Sequence, residues 1–481
     1  MSFPAPFQSP LEPTAAATRE AELTALVAQL VATDHQVQRG AVSTTLSAEE
    51  IRARIAALDL ERGAELGSVL PELLALLAAG QVHTPHPRNF GLFIPTPTFA
   101  GQAADLITAM MNPQLAIWSL SPAPIELEQR ALRFVGECIG GGADWQGQFT
   151  SGGAEANATG LLLALTRKFP DYGNRGTRAL TGDPVFYTSA ECHLAWLKIA
   201  HLTGIGRAAL RLVPVDESLR MDVAALRAMI ADDKRTGCRP FLIAATAGTT
   251  AAGAIDPLEE LAAVAREENL HLHVDAAWAG ALVLSRAHRA WLRGLELADS
   301  ITIDAHKWLS LPMGAGMVFA RDRAAVEEAF RVSTSYMPTT LDGTVNPYVL
   351  SMQWSRRFIG LKLLLTLANV GRVGYERQFA HDIALGTFLR ARLRADGWEI
   401  LNDTPLPVVC FAATERADEF AFHQCIADAI VGSGVAWIST VKLRGQIPGL
   451  RACITSYRCQ AGDVEALIAA LAAARAIAVR N

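Results

Sequence analysis

Nowhere in the chain do eighteen or more apolar residues run together, so no segment reads as a membrane-spanning helix. The opening "MSFPAPFQSPLEPTAAATRE" has neither a basic start nor an apolar stretch, which removes the signature of an export peptide and points to the cytoplasm. Basic residues do not run beyond pairs such as Arg356 and Arg357, and with a formal charge of -5 the chain offers no electrostatic footprint for nucleic acid. Cysteine is scarce: seven, an odd number spread over the chain without Cys-x-x-Cys spacing, which argues against a disulfide framework and against a zinc site. The partners left are small molecules or copies of the chain itself.

Apolar residues are plentiful. The 481 residues are 51% hydrophobic and 19% charged, enough to bury a large core as one big unit or two to three domains. Behind a Pro-rich arm, Leu23, Leu26, Val27, Leu30 and Val31 recur with helical period and form an apolar stripe that needs a partner surface. Ser47 and Glu50 have the spacing of a capping box, and "PELLALLAAG" predicts a further helix that stops near Gly80. From about residue 96 to 375, short apolar runs alternate with helical stretches: "PVFYTSA", "PFLIAATAG", "LHLHVDAAW", "DSITIDAHK" and "GAGMVFAR". That alternation predicts an α/β fold with a mostly parallel, doubly wound sheet covered on both faces. Three parts are expected: an N-terminal helical segment over 1–95, a large domain over 96–375 and a small α+β domain over 376–481.

Ligands of open α/β sheets sit beyond the carboxyl ends of the strands, so the residues just past each predicted strand are the candidates for chemistry. His193 lies past one strand; Gly248, Thr249 and Thr250 past another; Asp275 at the end of a third; Asp304, His306 and Lys307 at the end of a fourth. Upstream, "FTSGGAEAN" puts Gly152 and Gly153 at a helix start, where free N–H groups and the dipole favour a phosphate, although a tight turn would use the same glycines. His193 equally suits a helix cap and Thr250 a turn. Asp275 and Lys307 resist such readings, because an acid ending an apolar strand needs a cation or donor and a lysine beside Trp308 is poorly placed for water. Together the groups suit pyridoxal 5'-phosphate, which requires an amine for a Schiff base, an acid for its pyridine nitrogen and an anion site. Lys307, Asp275 and the Gly152–Gly153 helix start supply these.

The chain resembles the group II pyridoxal-phosphate decarboxylases, which include the aromatic-L-amino-acid, glutamate and diaminobutyrate enzymes. The likeness runs through "HPRNFGLFIPTPTF", "IWSLSPAPIELE", "TSGGAEAN", "ECH", "ATAGTTAAGAIDPL", "HVDAAWAGA", "DAHKW", "WSRRFIGLKL" and "GLRACITS". The resemblance implies a fold-type I homodimer whose N-terminal helices form the swapped element, and α-decarboxylation of an L-amino acid. It implies that Lys307 carries the cofactor, Asp275 holds the pyridine nitrogen, His193 stacks on the ring, and Thr250 and Ala277 touch it, with His306 also among the cofactor-binding residues. Within "RVSTSYMPTTLDGTVNPYVLSMQW", Tyr348 best matches the mobile-loop proton donor and Tyr336 a more structural position; a packing role after Pro347 is equally compatible with Tyr348.

Departures from the pattern bear on the substrate. Asp304 stands where animal aromatic enzymes have asparagine near the phosphate, so its carboxylate is expected to point elsewhere or pair with a cation. Leu194 replaces a small hydroxyl residue. Trp118 and Phe93, with Ile94 and Pro95, favour an aromatic substrate if they line the pocket, and carry no such vote if they belong to the core. Ala116 stands where animal aromatic enzymes place phenylalanine, so acidic and diamino substrates stay open, as do an aminotransferase, an aldehyde-forming enzyme and a non-catalytic paralogue. Arg451 does not decide between decarboxylation and aminotransfer. His193 favours the former, because fold-type I aminotransferases commonly stack an aromatic ring there.

Overall fold

The computed structural model describes residues 16–44, 46–142, 144–332 and 341–480. Contacts divide the chain into two units, one ending at His86 and the other starting at Pro87.

The first unit is helical: Ala16–Val37, Ala48–Ala56 and Leu66–Ala79. Ser47 and Glu50 form the expected capping box, with Glu50 N–H donating to Ser47 Oγ at 3.2 Å and Ser47 N–H to Glu50 Oε2 at 2.8 Å. The third helix ends on Gly80. Neither the second nor the third helix has a buried residue, and Leu30 and Val31 of the first are exposed.

In the second unit, a seven-stranded sheet is formed by β1 (Gln146–Thr150), β2 (Asp183–Ser189), β3 (Leu210–Val213), β4 (Cys238–Thr246), β5 (His271–Asp275), β6 (Ser300–Asp304) and β7 (Gly316–Ala320). Its order is β1-β7-β6-β5-β4-β2-β3, with β7 antiparallel to both neighbours and the remaining pairs parallel. The five apolar runs of the sequence form β2, β4, β5, β6 and β7. Both β5 and β6 are buried along their whole length, as expected of central strands covered on two faces. A second, antiparallel sheet joins β8 (Trp398–Ile400), β9 (Val408–Ala413), β10 (Ser439–Leu443) and β11 (Ile447–Cys453) in the order β10-β11-β9-β8. The helix Gly360–Ala395 passes through position 375 and is broken at Gly371, whose φ of 65° leaves the helical region.

An ion pair is sealed in the interior of this unit. Arg356 Nη1 and Glu128 Oε1 lie 3.1 Å apart, both side chains about 1% exposed, and Glu128 also accepts from Gly360 N–H. It fixes the segment "WSRRF" to the helix Pro122–Ile139.

Candidate active site

Because β1, β2, β4, β5 and β6 run in one direction, their carboxyl ends share one edge of the sheet. There they line a cavity of about 140 Å³ bounded by Gly153, Ala154, Asn157, His193, Thr246, Gly248, Thr250, Asp275, Ala277, Trp278, Asp304 and Lys307. Larger hollows of about 370 and 500 Å³ lie elsewhere, but this smaller one gathers the strand-end groups, as the rule for open α/β sheets requires.

Lys307 Nζ lies 3.1 Å from Asp304 Oδ2, and His306 Nε2 lies 3.7 Å from the same oxygen. The carboxylate that looked misplaced in the sequence therefore pairs with the cation three residues on. Burial holds the His306 imidazole below the usual histidine range, against the pull of Asp304. Asp304 sits so close to the start of the helix Gly153–Lys168 that a Cβ on Gly153 would fall 2.7 Å from Oδ2; glycine is needed there for close approach. Gly152 is the N-cap of that helix and faces His306, whose Cε1 would lie 3.5 Å from a Cβ placed on Gly152.

Asp275 is buried at the end of β5. Its Oδ2 accepts from Asn157 Nδ2 at 2.7 Å, and its Oδ1 from Ala277 N–H at 3.1 Å. His193 is solvent-facing and accepts through Nδ1 from Ala195 N–H at 3.2 Å, so the neutral ring carries its proton on Nε2. The carbonyl of Thr250 accepts from Arg451 Nη1 at 2.6 Å, while Arg451 Nη2 donates to Gly91 O at 2.7 Å; the guanidinium is a strut between two loops.

The sequence-predicted residues divide. Gly153, His193, Thr250, Asp275, Ala277 and Lys307 line the cavity, with Gly152 and His306 immediately behind it. Phe93 contributes indirectly, stacked on the cavity wall Trp278 at 4.3 Å between centroids. Trp118 is not among the lining residues: it packs beside Leu115, Ile125 and Phe358 and donates from Nε1 to Glu126. Tyr348 is not among them either; it is buried against Ala116 and Ile117, its ring 4.9 Å from Trp354. Tyr336 lies outside the described residues. Sequence reading missed Asn157, Thr246 and Trp278. A helical Asn one turn beyond Gly153 was the available signal for the first, since that face looks at the strand ends.

Two buried oxygens in this cavity, Thr246 Oγ1 and Asp304 Oδ1, have no hydrogen-bond partner among the described residues. Polar atoms so placed need a ligand or solvent to compensate their burial. An amine, a fixed carboxylate, a glycine helix start and the unpaired Thr246 hydroxyl around one cavity match the needs of pyridoxal 5'-phosphate, with the Asp304 carboxylate the one group that opposes its phosphate. Fold and site thus define a fold-type I enzyme with pyridoxal phosphate as its cofactor.

The pyridoxal-dependent decarboxylase conserved domain matches residues 53–414, and the chain belongs to that family. It is 29% identical over 430 residues to the aromatic-L-amino-acid decarboxylase of Bacillus atrophaeus, with 87% of each chain covered. It is 32% identical over 406 residues to an acidic amino acid decarboxylase of Mus musculus, covering 80% of this chain and 73% of the relative. The crystal structure of mouse CSAD superposes with a TM-score of 0.90 at 25% identity, over 96% of this chain and 99% of that one. The protein is a pyridoxal-phosphate-dependent amino acid decarboxylase, a carboxy-lyase.

Proposed function

We propose that the enzyme removes the α-carboxylate of an aromatic L-amino acid to give the amine and CO2. The observation that carries the aromatic preference is Trp278, a large apolar ring on the cavity wall; Phe93, stacked behind it in the core, carries no separate vote. An aromatic-L-amino-acid relative supports it as well.

Bound pyridoxal phosphate supplies the electron sink for the pair left on Cα when CO2 departs. The chain's own groups do the rest. Lys307 Nζ is the amine that would hold the cofactor, and Asp304 pairs with that nitrogen in the cavity. Asp275, held by Asn157 and Ala277 N–H, keeps the pyridine nitrogen protonated. The helix start at Gly152 and Gly153, with His306, would hold the phosphate, and Thr250 and Ala277 on the cavity wall would hold the rest of the cofactor. His193, its Nε2–H free because Nδ1 accepts from Ala195 N–H, would hold the cofactor ring and orient the substrate carboxylate. Tyr348 is assigned the return of a proton to Cα, which requires its turn Pro347–Val349 to leave its packing on Ala116 and Ile117. Two copies form the working enzyme, the exposed Leu30 and Val31 stripe of the N-terminal unit being covered by the second copy.

An acidic substrate is the second reading. Its support is the mouse relative and Arg451, whose guanidinium lies 5.9 Å over the Phe93 ring with Nε lacking a hydrogen-bond partner among the described residues. Steady-state decarboxylation of tryptophan, dopa, glutamate, cysteine sulfinate and diaminobutyrate decides. The aromatic reading expects the highest kcat/KM for tryptophan or dopa; a higher value for an acidic or diamino substrate overturns it.

A further inference from the structure

On one face of β5, His271, His273 and Asp275 stand at alternate positions, covered by the helix Gly153–Lys168. The residues between them, Leu272 and Val274, go to the apolar core on the opposite face. Gly160 of the helix makes room for the His273 ring, which a Cβ would overlap. Ser300 of β6 sits directly across from His273 in register.

Hydrogen bonds connect these groups end to end. His271 Nε2 and His273 Nδ1 each lie 2.8 Å from Ser300 Oγ, His273 Nε2 lies 3.0 Å from Asn157 Oδ1, and Asn157 Nδ2 lies 2.7 Å from Asp275 Oδ2. Chemistry fixes the direction. A carboxylate only accepts, so Asn157 must turn its NH2 to Asp275 and its carbonyl to His273. His273 therefore carries its proton on Nε2, with the hydroxyl of Thr302 at 3.3 Å as a weaker second acceptor. Its Nδ1 is then a lone pair, which Ser300 O–H must serve, and Ser300 Oγ in turn accepts from His271 Nε2–H. Every donor points toward Asp275. Burial pushes the two rings down to about 4 for His271 and about 3 for His273, so both stay neutral near neutral pH and the single proton arrangement holds.

We propose that His271, Ser300, His273 and Asn157 form a one-way hydrogen-bond relay that orients Asp275 and stabilises its carboxylate form. Aligned bonds in a dry interior polarise one another, so the last donor, Asn157 Nδ2–H, is strengthened by those behind it. These are positioning residues, since among them only Asn157 lines the cavity. The proposal rests on Asp275 being the partner of the pyridine nitrogen.

The test compares the full-length protein with Asp275→Asn, His273→Leu, His273→Gln and Ser300→Ala, reading the dissociation constant for pyridoxal phosphate and the visible absorbance of the bound cofactor. Glutamine places an amide N–H where imidazole has Nε2–H. The relay predicts about tenfold weaker binding for His273→Leu, with a spectrum moved toward that of Asp275→Asn, and recovery in His273→Gln. Ser300→Ala should weaken binding by a smaller factor. If Asp275→Asn weakens binding but His273→Leu does not, the relay is wrong and the role of Asp275 stands. If Asp275→Asn changes nothing, the reading beneath the relay fails and the relay falls with it. Should the leucine variant not fold, nitrogen-15 spectra of labelled histidines in the unaltered protein still decide: Nε2–H tautomers for His271 and His273 support the relay, and an Nδ1–H tautomer at His273 overturns it.

Discussion

At the scale of single residues, the site depends on charges placed where water is scarce. Asp304 is the clearest case: its buried carboxylate lies 3.1 Å from Lys307 Nζ, the amine that must be free to capture an aldehyde. Asp304→Asn removes that pairing and a negative charge facing the phosphate position. The variant should bind pyridoxal phosphate severalfold more tightly and more quickly, read by cofactor absorbance; weaker binding would contradict the repulsion argument. Lys307→Ala should lower turnover by at least about 10²–10⁴-fold, as expected for loss of a positioned reacting group, measured as CO2 release at saturating cofactor. Most of these residues were legible in the sequence because chemistry needs rare types at strand ends. Lys307, Asp275 and His193 stood out against apolar neighbours. Asn157 and Thr246 did not, since an Asn in a helix and a Thr in a strand are ordinary until tertiary packing brings them to the cavity. Trp118 drew attention by its type beside a motif, and its contacts within the chain lie with Leu115, Ile125 and Phe358.

At the scale of elements, alternation within β5 carries more than the run "LHLHVD" first suggests. As a nearly apolar run it belongs at the centre of the sheet, where it lies, but its histidines hid a polar face, because period-two patterning is ambiguous when both faces are buried. Those histidines have a thermodynamic consequence. Their folded pKa values, about 4 and about 3, lie below the ordinary histidine value, so the unfolded chain binds more protons as acidity rises. Stability should be full above about pH 6.5 and fall as pH drops through the window down to about 3. Urea midpoints followed by circular dichroism between pH 7 and pH 4 should decline in the parent protein and less steeply in His273→Gln; equal slopes would contradict the assignment. The helix Pro122–Ile139 provides a second test. Glu128→Ala leaves Arg356 buried without its partner and should cost about 3–5 kcal/mol in urea unfolding. The strand β7 was recognisable as a strand, yet its reversed direction was not readable, since an apolar run of five residues carries no sign of parallel or antiparallel pairing.

At the scale of the whole molecule, the sheet order and the antiparallel second sheet reproduce the α/β architecture expected from the alternation of strands and helices. The N-terminal unit has a different character. Its helices and the turn between them leave Leu30, Val31, Leu60, Leu66 and Leu77 exposed, apolar surface that a second copy would cover. Sedimentation of the holoenzyme should therefore give a dimer of the 51.5 kDa chain, and a monomer with full activity would contradict that assignment. Among the described residues no helix is long and apolar enough to cross a membrane, and no histidine, cysteine and carboxylate cluster could hold a metal ion. The measurement that bears most directly on the central claim is a product balance on the cofactor-loaded enzyme with tryptophan or dopa, counting CO2, amine, aldehyde and peroxide in one reaction. Decarboxylation with protonation at Cα predicts one amine per CO2 and neither aldehyde nor peroxide. Aldehyde with peroxide, or turnover without CO2, would contradict it.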